Sequence, residues 1–282
     1  MRDMPWTARR SSVFAPRMRP YVSRPMTKSK ARTIAATTRK SSPNDIAVLN
    51  SANLQISANN IAGNAAGIVL GANAADNVLA DNTIVTNGST GILFSSVGTT
   101  GNEIIAGSIS GHAQAGIQIA NGAQGGVQPP AITQVVFGST FTVSGTSTPN
   151  AVVRLYADPD DEGLEFLAET TANGLGNWTN STWSPPDTTA LQAALRAGTR
   201  RLHATQTHAF GTSEFSAAPS VRHVAYVYAT DTPARDAFSS MLTSRDYTVT
   251  GVTVANAATF DFSTYMAIVI GHETGNLSSW GT

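Results

Sequence analysis

Gly67-Ile68-Val69-Leu70, Gly91-Ile92-Leu93-Phe94 and Gly116-Ile117-Gln118-Ile119 are three versions of one short strand, set 24 and then 25 residues apart. Fourteen residues before each Gly stands an asparagine: Asn53, Asn77 and Asn102. Between those landmarks lies a further apolar position, Ile61, Ile84 or Ile109, with a one-residue slip in the first copy. A fixed period in this range means stacked supersecondary units, none able to bury its apolar face alone. Short strands separated by Gly and Asn, with no helical period between them, make the unit a coil of β-strands. This is the pattern of a parallel β-helix.

In such a coil each residue sits about 4.8 Å above its counterpart in the preceding rung, so like stacks on like. Ile68, Ile92 and Ile117 are expected to form one interior column, and Leu70, Phe94 and Ile119 another. Asn53, Asn77 and Asn102 are expected to pass amide hydrogen bonds from rung to rung as a structural ladder. The Gly before each strand suits a corner with positive φ. Over about residues 44–125 the chain resembles right-handed β-helix repeat proteins, the broad group that includes pectate-lyase-like folds.

That resemblance implies a place to look for chemistry, because enzymes on this fold act on acidic polysaccharides along the outside of the coil. A lyase needs Ca²⁺ held by carboxylates together with a basic Arg or Lys. A hydrolase needs two carboxylates across one face. Between Lys40 and Arg154 there is no Lys or Arg, and from Asn50 to Pro130 the only carboxylates are Asp76, Asp81 and Glu103. Asp76 and Asp81 fall in one rung and are candidates for a shared corner, although no base joins them. His112, the sole imidazole of this stretch, stacks on Asn87 and has no charge partner within the repeat.

The chain has 282 residues, long enough for two or three domains. Its net charge of zero hides an asymmetry: 11 of 18 Lys and Arg lie in the first 40 positions, beside a single acid, Asp3. Residues 1–43 show no period and read as a disordered basic arm. Binding of nucleic acid or another anionic polymer by that arm ranks last among the functional readings, since no aromatic-basic fold motif accompanies it. The absence of cysteine excludes disulfides and thiol chemistry. No apolar run is long enough to span a membrane, and no secretory signal is recognisable.

At Gln128-Pro129-Pro130 the repeat stops, and residues 129–221 show strands at about ten-residue spacing separated by turn clusters. The strings Val143-Ser-Gly-Thr, Pro149-Asn-Ala-Val-Val-Arg-Leu-Tyr-Ala-Asp and Gly176-Asn-Trp resemble bacterial Ig-like modules, which implies a β-sandwich for spacing, adhesion or carbohydrate contact. Asp158, Asp160, Asp161 and Glu162 are the densest acid cluster. They are candidate Ca²⁺ ligands, set against the plainer reading of a solvated hairpin turn. Trp178 and Trp183 read as sandwich packing.

From Arg222 the pattern turns to strand, helix, strand, strand. Thr232-Pro233 opens a helix with Ala234, Ala237, Phe238, Met241 and Leu242 on one face. Residues 222–282 resemble the opening of a flavodoxin-like or amidotransferase-like α/β module, without its Gly-rich fingerprint. His272 and Glu273 follow a strand's carboxyl end, where open sheets bind ligands, and are its candidate site. Sixty residues make half such a module, so the chain is expected to be a fragment. The fold expected is mainly β: a parallel β-helix at 44–128, an Ig-like sandwich, then a partial open sheet. The function expected is that of a non-catalytic extracytoplasmic or cell-surface protein contacting polysaccharide or a surface component. The alternative is a degenerate β-helix lyase or hydrolase.

Overall fold

The computed structural model describes residues 33–34, 44–137, 140–219, 223–245, 247–260, 262 and 265–271. Its first part is a coil. β1 (Thr33–Ile34) and β2 (Asn44–Leu49) begin it, and β3 (Gln55–Ser57), β4 (Asn60–Ala62) and β5 (Ala66–Gly71) make the next rung. β6 (Val78–Ala80), β7 (Thr83–Val85) and β8 (Thr90–Phe94) follow, then β9 (Glu103–Ile105), β10 (Ser108–Ser110) and β11 (Ala115–Ile119). Three sheets result, β1-β3-β6-β9, β4-β7-β10 and β2-β5-β8-β11, parallel throughout. Thr33 pairs with Gln55, so the coil reaches into the segment read as a disordered arm. The rest of that arm lies outside the described residues.

The interior is a set of aliphatic columns. Ile68, Ile92 and Ile117 stack, as do Leu70, Phe94 and Ile119, and Ile61, Ile84 and Ile109 line a second wall. All but Ile119 are buried in one core. The chain turns between strands through left-handed residues that also stack: Asn53, Asp76 and Gly101 at one corner, Ala58, Asp81 and Ala106 at the next, Gly63, Thr86 and Gly111 at the third. The glycines at the second position of the long strands β5, β8 and β11 are different. They have no positive φ; a Cβ on Gly67 would stand 2.5 Å from Gly91 O, and one on Gly91 2.6 Å from Gly116 O. Close approach of stacked backbones, rather than a dihedral need, selects Gly there.

Asparagines join the rungs in more than one row. Asn77 Nδ2 donates to Asn102 Oδ1 at 2.8 Å, Asn59 Nδ2 to Asn82 Oδ1 at 3.0 Å, and Asn64 Nδ2 to Asn87 Oδ1 at 3.2 Å. Asn53 is not in the first row. Ile61 and Ile84 are 23 apart, whereas Ile68 and Ile92 are 24 apart, so counting back 24 from Asn77 misses by one. Leu54 occupies the row, its N–H donating to Asn77 Oδ1 at 3.0 Å, and Asn53 is a left-handed corner residue at φ 58°.

The second part comprises β12 (Ala131–Val136), β13 (Thr142–Thr146), β14 (Val152–Asp158), β15 (Glu165–Thr171), β16 (Asn177–Asn180), α1 (Thr189–Ala197), β17 (Arg201–His208) and β18 (Gly211–Thr212). Antiparallel sheets β12-β13-β16 and β15-β14-β17-β18 share one core containing Phe141, Val153, Leu155, Trp178, Trp183, Leu195 and Leu202. The helix α1 has no counterpart in the strand reading of this stretch. Asp187 accepts a hydrogen bond from Thr189 N at its start, Gly198 ends it at φ 68°, and Leu195 anchors it in the core.

The third part is β19 (His223–Tyr228), α2 (Thr232–Thr243), β20 (Thr248–Thr253), the turn α3 (Val254–Ala257) and β21 (Ala267–Ile270). Its strands form a parallel sheet in the order β20-β19-β21. Asp231 caps α2 by accepting from Ala234 N at 2.9 Å. The expected apolar face of α2 is only partly covered, with no residue buried and Met241 47% exposed.

The columns set a test of the coil. Ile92→Ala removes a fully buried side chain from the middle rung and is expected to lower the unfolding free energy by about 2–5 kcal/mol, read from the midpoint of urea denaturation.

Candidate functional site at the end of the coil

A strand side chain alternates between faces, and β14 uses both. Val153, Leu155 and Ala157 point into the sandwich core. Arg154, Tyr156 and Asp158 point the other way and are equally buried. The neighbouring β17 repeats this: Leu202 and Ala204 face the core, and His203, Thr205 and Thr207 are buried opposite them. An antiparallel sheet of this kind commonly leaves one face to water. Here the second face is pressed against the last rung of the coil.

Arg154 is the centre of that contact. Nη2 donates to Glu103 Oε1 at 2.8 Å and Nε to Glu169 Oε2 at 2.8 Å. Nη1 donates to the backbone oxygen of Ile104 and to Thr207 Oγ1, both at 2.9 Å. Its side chain is 4% exposed, against 28% for Glu103 and 48% for Glu169. The guanidinium thus binds a coil carboxylate, a coil carbonyl, and two groups of its own sheet, which suits its rigid fork of donors.

Around it the sandwich accepts the unpaired N–H groups of the terminal rung. Gly101 N donates to Phe210 O at 2.7 Å, and Ile109 N to Gly163 O at 2.9 Å. Ile104 N donates to Thr212 Oγ1 at 2.9 Å, and Ile119 N to Glu214 Oε1 at 2.6 Å. All three sheets of the coil are met in this way. Phe215 packs on the coil core where a Cβ on Gly116 would lie 2.9 Å from its ring, and Tyr156 meets the same ring edge-on at 5.2 Å.

Two asparagine rows end in unlike residues that turn toward this junction. Asn102 Nδ2 donates to Gln124 Oε1 at 3.2 Å, and Gln124 Nε2 to Asn102 O at 2.7 Å. In the other row Asn87 Nδ2 lies 3.2 Å from His112 Nε2. Asn87 Oδ1 already accepts from Asn64, so its amide is oriented to donate to Nε2. His112 therefore carries its proton on Nδ1 and donates to Glu162 Oε2 at 3.1 Å. The charge partner missing from the repeat comes from the second module.

The structure separates the other candidates. Asp76 and Asp81 are exposed left-handed corners at φ 53° each, at opposite ends of β6. That strand sets them roughly 15 Å apart, so they share no corner, and among the described residues neither forms an ion pair. In the acid loop, Asp158 accepts from Leu164 N at 2.9 Å, Glu162 holds His112, and Asp161 meets Arg201 at 3.2 Å. Among the described residues no group of three or more His, Cys, Asp or Glu is placed to hold a metal ion. His272 and Glu273 lie outside the described residues.

Residues 27–152 match a family model described as a right handed beta helix region. The stacked parallel sheets fit it. The match runs past the last strand of the coil, β11, into β14. A region of this kind points to a polysaccharide-related or surface protein. No curated protein matches the chain. No described helix is long and apolar enough to cross a membrane.

Arg154→Met leaves Glu103 and the Ile104 carbonyl without their donor. The expected loss is about 3 kcal/mol, the low end for a broken buried pair because both glutamates keep part of their water. Arg201→Met, at an exposed pair, should change stability by less than about 1 kcal/mol. Guanidinium denaturation of both variants checks the contrast.

Burial pushes the Tyr156 phenol up from 10.0 to about 12, against the pull of the Arg154 charge. A raised folded value means the native state keeps its proton longer than the unfolded chain. Its contribution is complete below pH 10 and is lost as pH rises toward 12, roughly 2–3 kcal/mol in all. Denaturation between pH 9 and about pH 12 should show this loss in the natural chain and a smaller one in Tyr156→Phe.

Proposed function

We propose that this chain is a non-catalytic, modular, extracytoplasmic surface protein whose β-helix and Ig-like sandwich work as one stiff scaffold presenting its flanks to polysaccharide or a neighbouring surface component. The observation that carries the reading is the junction. The coil's last rung is tied to the second module by a buried guanidinium and hydrogen bonds from all three sheets. Load borne by one module therefore passes to the other without a free linker. In the coil the exposed carboxylates stand apart and lack a basic partner, which supports contact over turnover. The parallel sheet and helix from His223 onward resemble the start of a flavodoxin-like or amidotransferase-like module, a third part in series.

The second reading, a degenerate β-helix lyase or hydrolase, is favoured by the family match at residues 27–152. One experiment separates the two. The full chain is mixed with insoluble polygalacturonate and Ca²⁺, and both sedimentation of the protein and absorbance from unsaturated products are followed. Sedimentation without product is the expected result. Ca²⁺-dependent product formation that Asp76→Ala or Asp81→Ala abolishes would establish the second reading.

A further inference from the structure

β17 places one more buried titratable group at the junction, and its hydrogen-bond partners fix its state. His203 has no exposed surface. Its Nδ1 lies 2.9 Å from Ser216 O, and its Nε2 lies 2.9 Å from Asp160 O. A carbonyl oxygen can only accept. Both contacts are therefore hydrogen bonds only when both ring nitrogens carry a proton, as in the imidazolium. A neutral ring donates through one nitrogen and turns a lone pair on the other oxygen.

A buried charge needs hydrogen bonds and an opposite charge. The two carbonyls supply the first, and Asp161 Oδ1 stands 3.9 Å from Nε2. The acids on the elements packed around the ring are Asp158 at the end of β14, Asp160, Asp161 and Glu162 in the loop that follows, and Glu214 past β18. The guanidiniums there are Arg154 on β14 and Arg201 on β17, so carboxylates predominate and favour the charged ring. Tyr156, the cross-strand neighbour, and His112, which donates to Glu162, add no charge to this balance.

The loop held by Nε2 is also the one that reaches the coil. Just past Asp160, Glu162 accepts from His112 Nδ1 at 3.1 Å. Gly163 then exchanges both backbone hydrogen bonds with Ile109, at 2.8 and 2.9 Å. The carboxylates of this loop turn to separate protein partners, Leu164 N for Asp158, Arg201 for Asp161 and His112 for Glu162, rather than converging. On the other side of the ring Ser216 is fixed, because its N–H donates to Ala204 O at 2.8 Å and its Oγ accepts from Ala204 N at 2.9 Å.

We propose that His203 is an imidazolium that fastens the loop at 158–163, and that its deprotonation frees this loop and loosens the coil from the sandwich. The remaining proton stays on Nδ1 with the fixed Ser216 oxygen, Nε2 turns a lone pair on Asp160 O, and the loop is the part that moves. The folded chain holds a proton that an unfolded chain gives up at about pH 6.5. The fastening is thus complete below that pH and is lost as pH rises through deprotonation of the folded ring.

The test is NMR of the full chain with ¹⁵N-labelled histidine rings and no added ligand. At about pH 7, above the midpoint of a free imidazole, one histidine should carry protons on both nitrogens, and its signal should be missing from His203→Gln. Exchange protection of Ile109 N–H, taken against the intrinsic rate at each pH, should fall about tenfold or more in step with deprotonation of that ring. Val153 N–H, inside the sandwich, should keep its protection. Asp161→Asn, an exposed change, should move the deprotonation to lower pH, and it identifies the signal if His203→Gln fails to fold. A bare nitrogen on His203 at about pH 7 overturns the proposal, as does deprotonation without a change at Ile109. So does a deprotonation that Asp161→Asn leaves in place.

Discussion

A stack of parallel strands must stop somewhere, and where it stops a whole rung of backbone N–H and C=O groups has no next rung to bond. Left bare, that edge would invite pairing with any other strand; buried without partners, each group would carry a desolvation penalty. Much of the described architecture follows from how this edge is answered. The second module brings loop carbonyls at Gly163 and Phe210, a hydroxyl at Thr212 and a carboxylate at Glu214 to the donors of the last rung. Phe215 fills the space over the final aliphatic layer.

Meeting the edge reshapes the module that meets it. The two central strands of its larger sheet, β14 and β17, are buried on both faces, so Arg154, Tyr156 and Asp158 occupy positions that a free sandwich would expose. A charged residue in such a place is tolerable only with several partners, and Arg154 has four. The asparagine rows are ended by residues suited to the same boundary. Gln124 reaches where a corner Asn would stand, and His112 converts an amide contact on one side into an imidazole–carboxylate contact on the other.

The coil was largely legible in the sequence because its contacts are copies of themselves. Columns at Ile68, Ile92 and Ile117 need only a period to be seen. Asn53 is misplaced because the spacing alone puts the one-residue slip before Ile61, whereas the pairing puts it between Ile61 and Ile68. The glycines at 67, 91 and 116 were legible as special but not for the right reason: the first two avoid the next rung's backbone and the third the Phe215 ring, which no local rule contains. α1 was hidden in a stretch read for strands, although Leu191 and Leu195 carry its spacing. The junction was illegible for a plainer reason. Its partners are about fifty residues apart, as with Arg154 and Glu103 or His112 and Glu162, and each looks like an ordinary surface polar residue alone. The run of buried positions in β14 was the available signal, but it could not say what lay on the second face.

The unlike endings of the asparagine rows give the coil a direction of growth. Middle rungs see mainly near-copies of themselves above and below, so duplication of one whole turn between β5 and β9 preserves its neighbours' contacts. A turn added after β11 has no such freedom. It would part Arg154 from Glu103, Glu162 from His112 and Gln124 from Asn102 at once. Lengthening of this protein by tandem duplication is thus confined to turns upstream of its last rung, which passes unchanged into every longer version.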